Sequence, residues 1–385
     1  MAGFIGPKRL DGDSTTARVF LAFLATAGLF YVNIMPALVN GLIVALDMSN
    51  REAGFIASAN VYGAACGAFV AILLVKHLPW RKTCFVLLSG LIVADVASCF
   101  VVQFWPLLLL RAGHGLMGGL SVGIGLAIMA RTHNPDRSFG YLLLVQYGLG
   151  GLCVMVIPPL VPEWGMPLVF GTLIAFTSIT LLMLPFLPDY APTTQAALSR
   201  SSLRSSWQQA LPLWAGIFLF QGANMALNAY IIGIGEHNRL ALGFISTVLG
   251  WASWIALLGC LFVILLSQRF RRGPLLACGL VVAIFANAAF LFSDWAMVYI
   301  SANVVSAVCW SFCVPYFFGY SAQIDPSGQL ATATGLASKL GLASGPLMAA
   351  LIVGEQNYDQ LIVIASVALL AGLVVMTPLL RARTL

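Results

Sequence analysis

The stretch LLLLRAGHGLMGGL, residues 107–120, places an arginine in the middle of a segment that otherwise reads as lipid-soluble helix. Arg111 lies in the outer half of an apolar run that begins near Phe104 and continues to about Ala130. A permanent cation at membrane depth costs roughly 2.5–3.5 kcal/mol on insertion scales. A protein or solute group must therefore compensate this charge, and the identity of that group bears on function.

The composition of the chain is too apolar for a water-soluble domain. Its 385 residues are 60% hydrophobic and only 8% charged, whereas soluble domains average about 25% charged residues. The lipid bilayer is therefore the expected solvent for most of the chain. The formal net charge is +6, but the basic residues form no single patch, so no nucleic-acid partner is expected. Cysteines and histidines show no metal-type spacing, so neither a metal nor another cofactor is expected.

Runs of about 20 apolar residues, long enough to cross a hydrocarbon core as helices, recur along the chain. They predict an all-α polytopic membrane protein with twelve transmembrane helices, which we call spans 1 to 12. Their predicted ranges are 17–45, 53–75, 83–103, 105–130, 139–162, 166–187, 211–235, 241–267, 274–292, 295–320, 328–353 and 358–380.

The distribution of basic residues supports this count of spans. With the N-terminus inside, fifteen basic residues fall in cytoplasmic segments and two in outer loops, as the positive-inside rule requires. The outer two are Arg51 and Arg239, and the cytoplasmic set is Lys8, Arg9, Arg18, Lys76, Arg81, Lys82, Arg131, Arg137, Arg200, Arg204, Arg269, Arg271, Arg272, Arg381 and Arg383. Both termini are therefore expected to be cytoplasmic, with the chain in the inner (cytoplasmic) membrane.

A polar stretch, PDYAPTTQAALSRSSLRSSWQQA, divides the chain into two halves. The expected units are an N-terminal six-helix bundle (1–187), a cytoplasmic linker (188–210) and a C-terminal six-helix bundle (211–385). LFYVNIM at 29–35 matches LFQGANM at 219–225, and WRK at 80–82 matches FRR at 270–272. An ordered set of matches at an offset of about 190 residues predicts two pseudo-symmetric bundles.

Two such halves with a cytoplasmic linker resemble the major facilitator superfamily over essentially the whole chain. The stretch RAGHGLMGG resembles the family's fourth-helix pattern, in which an arginine is followed four residues later by a glycine, here Arg111 and Gly115. The resemblance implies a secondary transporter that works as a monomer, whose halves rock around a site near the bilayer midplane lined by spans 1, 4, 7 and 10. The family's Gly-Pro antiporter pattern on the fifth helix is not met, which favours uptake over drug efflux.

Polar side chains form stripes on these four spans independently of the resemblance. On span 7, Gln221, Asn224 and Asn228 share one helix face. The other stripes are Asn33 and Asn40 on span 1, Arg111 and His114 on span 4, and Asn303, Ser306 and Trp310 on span 10. Lipid cannot satisfy such groups, so they are expected to line a wet cavity and to bind the solute. The alternative is that they only hold helices together.

Charged residues inside the spans leave several interpretations open. Asp95 on span 3 and Arg111 lie at similar depth on consecutive helices, which allows a structural ion pair. Alternatively, Arg111 and Lys339 on span 11 both face the cavity and bind the carboxylate of an anionic solute. Ion-pair switching between states is a third possibility. Asp95 and His114 are the candidate proton carriers.

The leading hypothesis is a secondary active transporter that moves a small organic anion in symport with protons, without any other cofactor. A sugar or another neutral polar solute is one alternative, favoured by the amides of span 7 and by Trp251, Trp254 and Trp310. A drug/proton antiporter is another. An enzyme or a receptor is disfavoured, because the four histidines are scattered and no nucleotide-binding glycine motif follows a strand.

Overall fold

The computed structural model is built almost entirely from α-helices, and no β-strand occurs among the residues that it describes. These residues are 9–12, 14–74, 78–129, 131–133, 135–190, 203–266, 269–324, 329–354 and 356–381. Nearly all of the predicted spans fall within these ranges.

Twelve spans follow one another in the described ranges, as the sequence predicts. Their helices are, from span 1 to span 12, Thr15–Ala27 with Phe30–Asn33 and Met35–Leu46, Asn50–Leu74, Trp80–Ser98, Phe104–Met129, Pro135–Trp164, Met166–Met183, Leu203–His237, Leu242–Ile255 with Leu257–Leu266, Arg272–Ala288, Ala296–Ile324, Gln329–Val353 and Tyr358–Arg381. The largest difference from the predicted bounds is at span 7, whose helix starts at Leu203 instead of residue 211. Residues 191–202 of the expected linker lie outside the described residues.

Length and composition alone identify ten of these spans as able to cross a membrane, within the ranges described. Span 3 falls short because its 19 residues include Arg81, Lys82 and Asp95. Span 1 falls short because it is broken into pieces at Gly28 and Ile34. Gly28 packs directly on the backbone of Gly118, and Pro36 has no N–H to continue the helical hydrogen bonds of the preceding turn.

Four of the six helices in each half repeat with the same spacing along the chain. The helices of spans 2, 3, 4 and 6 begin at residues 50, 80, 104 and 166, and those of spans 8, 9, 10 and 12 begin at residues 242, 272, 296 and 358. Each of these four helices of the second half thus begins 192 residues after its counterpart. The predicted duplication of a six-helix bundle is confirmed, and residues in the two halves can be compared by their distance from the start of each helix.

Glycines allow spans 2 and 4 to pack backbone against backbone. A Cβ added at Gly115 would overlap the carbonyl oxygen of Asn60, and one added at Gly119 would overlap that of Ala64. Small residues permit such close approach between membrane helices. Gly115 of the RAGHGLMGG stretch therefore serves the packing of span 4, which places Arg111 and His114 against spans 2 and 3.

The two halves meet along spans 2 and 11 and along spans 5 and 8. Tyr62 and Ser344 join their hydroxyl oxygens at 2.7 Å, and the Trp254 indole N–H donates to the carbonyl of Gly148 at 3.0 Å. These contacts hold the bundles side by side and leave a space between them.

The halves also contact each other where span 2 begins and span 11 ends. The Tyr230 hydroxyl donates to the carbonyl of Asn50 at 2.5 Å, and the Asn50 amide donates to the carbonyl of Gly354 at 3.2 Å. These two hydrogen bonds tie span 2 to spans 7 and 11.

Candidate functional site

A cavity of about 180 Å³ lies between the two halves. Spans 1 and 5 of the first half and spans 7, 8, 9 and 10 of the second half line it, and span 4 does not. Its polar and aromatic lining residues are Asn33, Gln146, Tyr147, Asn224, Asn228, Ser253, Asn287, Phe290, Asn303, Ser306 and Trp310. No charged side chain lines the cavity in the part of the chain that the structure describes. It is therefore a site rich in amides and without formal charge.

The structure brings five of the nine predicted binding residues into this lining. They are Asn33, Asn224, Asn228, Asn303 and Trp310. The other four, Arg111, His114, Gln221 and Lys339, lie outside the lining. The expected stripe on span 4 faces spans 2 and 3 instead of the cavity, because the glycines of span 4 draw it against span 2.

Hydrogen bonds to backbone carbonyls orient three of the lining amides. Asn224 and Asn303 each donate to the carbonyl four residues earlier on their own helix, those of Phe220 and Tyr299, at 2.8 Å. Asn33 of span 1 donates across to the carbonyl of Gln146 on span 5 at 2.9 Å. Each amide thus has one N–H committed to the protein, which leaves its carbonyl oxygen available to accept a hydrogen bond from a solute.

The aromatic side of the cavity is formed by Trp310 and Tyr147, which belong to different halves. Their ring centroids lie 6.2 Å apart in an edge-to-face arrangement. The Trp310 indole N–H donates to Gln221 Oε1 at 2.5 Å, and Gln221 Nε2 donates to the Ser338 hydroxyl at 2.8 Å. Gln221 is only 2% exposed. It therefore stands behind Trp310 and fixes its orientation, whereas the sequence led us to expect direct contact with the solute.

Arg111 is compensated inside the protein. Its Nη1 donates to Asp95 Oδ1 at 2.7 Å, and its Nη2 donates to the carbonyl of Ala94 at 3.0 Å and to the Ser98 hydroxyl. The guanidinium also lies 4.9 Å from the ring centroid of Phe170. Arg111 and Asp95 are both fully buried. The sequence allowed Arg111 either to pair with Asp95, to face the cavity or to switch partners between states. This geometry agrees with the first, a structural ion pair.

His114 completes this buried cluster, which we call the Asp95 cluster and which comprises Asn60, Asp95, Arg111 and His114. Asn60 Nδ2 donates to His114 Nδ1 at 2.8 Å, and His114 Nε2 lies 3.3 Å from Asp95 Oδ1. Because an amide nitrogen can only donate, Nδ1 is the acceptor and Nε2 carries the hydrogen that faces Asp95. This pattern is that of a neutral imidazole, so the cluster as a whole carries no net charge.

Lys339 lies on span 11, partly buried and outside the cavity lining. No carboxylate lies within salt-bridge distance of it in the described ranges. The neighbouring Ser338 holds Gln221. Lys339 therefore lies beside the support of Trp310 and not in the lining of the cavity.

Five of the polar and aromatic lining residues were not predicted, namely Gln146, Tyr147, Ser253, Asn287 and Phe290. They lie on spans 5, 8 and 9, whereas the resemblance directed attention to spans 1, 4, 7 and 10. Asn287 carried a usable signal, because it is a lone amide in the apolar stretch AIFANAAF, residues 283–290. The argument that lipid cannot satisfy a buried amide applies to it as well.

Comparisons with known proteins agree with this architecture. The family model of the Major Facilitator Superfamily matches residues 19–350. In sequence, the chain is 25% identical over 190 residues to the putative niacin/nicotinamide transporter NiaP of Bacillus subtilis (strain 168), a match covering 48% of this chain and 46% of that protein. The match thus spans about half the length of this relative.

Two solved structures are similar over nearly the whole chain. The nucleoside transporter NupG has a TM-score of 0.76 at 13% identity, covering 96% of this chain and 100% of that one. A D-xylose-proton symporter has a TM-score of 0.73 at 12% identity, covering 96% and 99%. At such identities these likenesses show the fold alone. Together with the family match over most of its length, they make this chain a multi-pass membrane transporter rather than an enzyme, and a member of the Major Facilitator Superfamily.

Proposed function

We propose that this transporter is a secondary active carrier that moves a small, neutral, hydrogen-bonding organic solute by alternating access. The observation that carries the proposal is the lining of the central cavity, which presents six amides and three hydroxyls and no charge among the described residues. A buried anion would require a cation or a dense set of donors near it. The neutral polar solute, an alternative at the level of the sequence, therefore becomes the first choice over the organic anion.

The size and the aromatic wall of the cavity narrow the class of solute. A volume of about 180 Å³ lies below the roughly 300–1,000 Å³ of sites that hold drug-sized ligands. Tyr147, Phe290 and Trp310 offer ring surfaces to a flat molecule. A solute of one ring with a polar substituent fits this combination.

The name of the Bacillus relative includes one neutral and one anionic compound. Nicotinamide is an uncharged pyridine carboxamide, whereas niacin is a carboxylate at neutral pH. The uncharged lining favours the carboxamide for this chain. Nicotinamide is therefore the first compound to test.

Uptake into proteoliposomes tests the proposal. Purified protein is reconstituted, and uptake of labelled nicotinamide and labelled nicotinate is followed with protein-free vesicles as control. We expect saturable uptake of nicotinamide that excess unlabelled nicotinamide suppresses and nicotinate does not. Saturable uptake of nicotinate alone would contradict the neutral-solute proposal.

A small organic anion is the second candidate for the transported solute, and the environment of Lys339 favours it. A partly buried lysine without a carboxylate partner in the described ranges is a ready counter-charge. If the solute is neutral, Lys339→Gln should change nicotinamide uptake by less than about twofold, because no contact to the solute is lost. If the solute is anionic, the same variant should abolish nicotinate uptake while leaving the protein folded.

We further propose that transport is coupled to protons and that the Asp95 cluster carries the proton. Asp95 Oδ2 has no hydrogen-bond partner among the described residues. Protonation of His114 at Nδ1 would place two donors, that N–H and the amide of Asn60, face to face. Asn60 lies on span 2, so a proton on His114 would disturb the contact between spans 2 and 4 and bias the two halves toward one arrangement.

The variant His114→Gln tests this coupling without breaking the ion pair. The other ionisable groups close to the imidazole are Asp95, Arg111 and the hydroxyl of Tyr31, whose ring centroid is 6.2 Å away. The variant should still exchange labelled for unlabelled nicotinamide across the vesicle wall, yet it should fail to accumulate nicotinamide under an imposed pH gradient. Gradient-driven accumulation at the wild-type level would remove His114 from the coupling mechanism.

Location and assembly are proposed on simpler grounds. The excess of lysine and arginine in one set of loops supports cytoplasmic termini in an inner (cytoplasmic) membrane. The cavity is formed within one chain by its two halves, so we propose that a monomer is sufficient for transport.

A further inference from the structure

Asn287 on span 9 has an unusual environment for a buried amide. It is 1% exposed and lines the central cavity. Its Oδ1 accepts a hydrogen bond from the Ser306 hydroxyl at 2.8 Å, while its Nδ2 has no partner among the described residues. Buried polar nitrogens are nearly always paired, because leaving such a donor unpaired is costly. The side chain thus presents a fixed and unused donor at the cavity wall.

Ser306 fixes which way the amide points. Since the hydroxyl donates to Oδ1, the carbonyl end of Asn287 is held against span 10, and the nitrogen end remains the part of the amide that can still donate to a solute. Ser306 itself also lines the cavity. It therefore acts as a positioning residue for Asn287.

A hydrogen-bond acceptor, the side-chain oxygen of Asn303, lies one helical turn before Ser306. Asn303 precedes Ser306 by three residues on span 10 and lines the same cavity. Its Nδ2 is engaged by the carbonyl of Tyr299, which leaves its oxygen free to accept. Spans 9 and 10 thus offer a donor and an acceptor close together, the complement of the oxygen and the nitrogen of a carboxamide.

Phe290 lines the same cavity as Asn287 and Asn303 and offers an apolar surface to the ring that would carry the carboxamide. Phe290 follows Asn287 by three residues, so it lies on the same face of span 9, and it lines the cavity. Trp310 and Tyr147 contribute further ring surfaces to the lining. A ring held among these residues would place its substituent toward spans 9 and 10.

We propose that Asn287 determines substrate specificity, its amide nitrogen donating to the carbonyl oxygen of a ring-bearing carboxamide while Asn303 accepts from the carboxamide nitrogen. This inference rests on the proposed transport of a neutral solute and deepens it by naming the substituent and the residues that recognise it.

The test measures equilibrium binding of three pyridines to the purified full-length protein. Nicotinamide carries both carbonyl and amide N–H, 3-acetylpyridine carries the carbonyl alone, and 3-(aminomethyl)pyridine carries a cation and no carbonyl. The wild-type protein should bind nicotinamide most tightly, then 3-acetylpyridine, and 3-(aminomethyl)pyridine least.

Two substitutions at position 287 distinguish recognition from folding. Asn287→Ala should weaken binding of nicotinamide and of 3-acetylpyridine by about tenfold, the loss of one buried hydrogen bond. Asn287→Asp replaces the donor by a carboxylate of the same shape, so it should reverse the preference in favour of 3-(aminomethyl)pyridine. A merely structural role of Asn287 would produce no such reversal.

Asn238→Ala is the matched control, because Asn238 is an asparagine of the same half that donates to its own helix, at 2.9 Å to the carbonyl of Ile234, and lies outside the cavity lining. It should bind all three pyridines as the wild type does. If wild-type protein binds nicotinamide and both variants of Asn287 bind it equally well, this inference is overturned and the proposed function stands. If wild-type protein neither binds nor transports any uncharged pyridine, both fall.

Discussion

The clearest comparison within the molecule is between spans 3 and 4 of the first half and spans 9 and 10 of the second. Asp95 lies fifteen residues after the start of its helix at residue 80, and Asn287 lies fifteen residues after the start at residue 272. Arg111 and Asn303 are each seven residues into spans 4 and 10. His114 and Ser306, each ten residues into those spans, complete the correspondence.

The contacts repeat while the chemistry differs. His114 lies against Asp95 at 3.3 Å in the first half, and Ser306 donates to Asn287 at 2.8 Å in the second. In the first half an acid and a base neutralise each other and are sealed from the cavity. In the second half the corresponding residues are neutral and line it.

The duplicated scaffold therefore holds polar groups at equivalent positions of the two halves, but these groups have different roles. A buried acid and base that bind each other have most of their charge and hydrogen-bonding capacity satisfied within the protein, so they offer little to a solute. Neutral amides have two donors and an acceptor oxygen, and one internal hydrogen bond leaves the remainder available. The half whose corresponding residues on these spans carry no charge is therefore the half that we expect to recognise the solute.

Removing one partner of the Asp95–Arg111 ion pair should give the largest effect, a loss of protein stability. Arg111→Leu leaves Asp95 buried without its counter-charge, and such a loss typically costs about 3–5 kcal/mol of stability. We expect little folded protein after extraction, measured as the yield of the monodisperse peak and the unfolding temperature. The double variant Asp95→Asn with Arg111→Gln, which imitates the neutral second half, should recover most of that yield.

Imposing the charged arrangement on the second half should have the next largest effect. Asn287→Asp with Asn303→Arg would direct the new pair toward each other and remove both the donor and the acceptor from the cavity. Uptake of nicotinamide should fall by about a hundredfold or more, roughly the value of two buried hydrogen bonds. Initial uptake rates in proteoliposomes check this, and near-normal uptake would show that the cavity's amides are dispensable.

Removing Gln221, which holds Trp310 in place, should have a smaller effect, on the apparent affinity for the solute. Gln221→Ala frees the indole N–H and leaves the Ser338 hydroxyl without its donor. The apparent KM for nicotinamide should rise by about three- to tenfold, roughly the value of one hydrogen bond, while protein yield is retained. The control is Trp251→Ala, since Trp251 is exposed and lies outside the lining; an equal change in that variant would remove the special role of Gln221.

Most of the fold could be read from the sequence, because the bilayer imposes strict rules on chain patterning. Apolar runs of helical length and a one-sided distribution of basic residues allow little freedom in the number of spans. The short sequence repeats at an offset of about 190 predicted the spacing of 192 residues between four helices of the first half and their counterparts in the second. The start of span 7 at Leu203 was missed, because its first turns are polar and read as linker.

The candidate site was only partly predictable. The cavity lining includes the whole stripe on span 10 as expected, together with Asn33 of span 1 and Asn224 and Asn228 of span 7. Asn40 and Gln221, the remaining members of the stripes on spans 1 and 7, lie outside the lining. The stripe on span 4 does not reach the cavity, because its orientation depends on glycine contacts with span 2 that periodicity cannot reveal. Asn287 and Gln146 are the single amides of the helices of their spans, and a stripe argument does not detect a single residue.

The measurement that tests the central claim most directly is the Kd of nicotinamide for the double variant Asp95→Asn with Arg111→Gln. If the amides of the cavity recognise the solute and Arg111 does not, the Kd should stay within about twofold of the wild-type value, because no contact to the solute is lost. A well-folded double variant that no longer binds nicotinamide would contradict the account and return Arg111 to the substrate site.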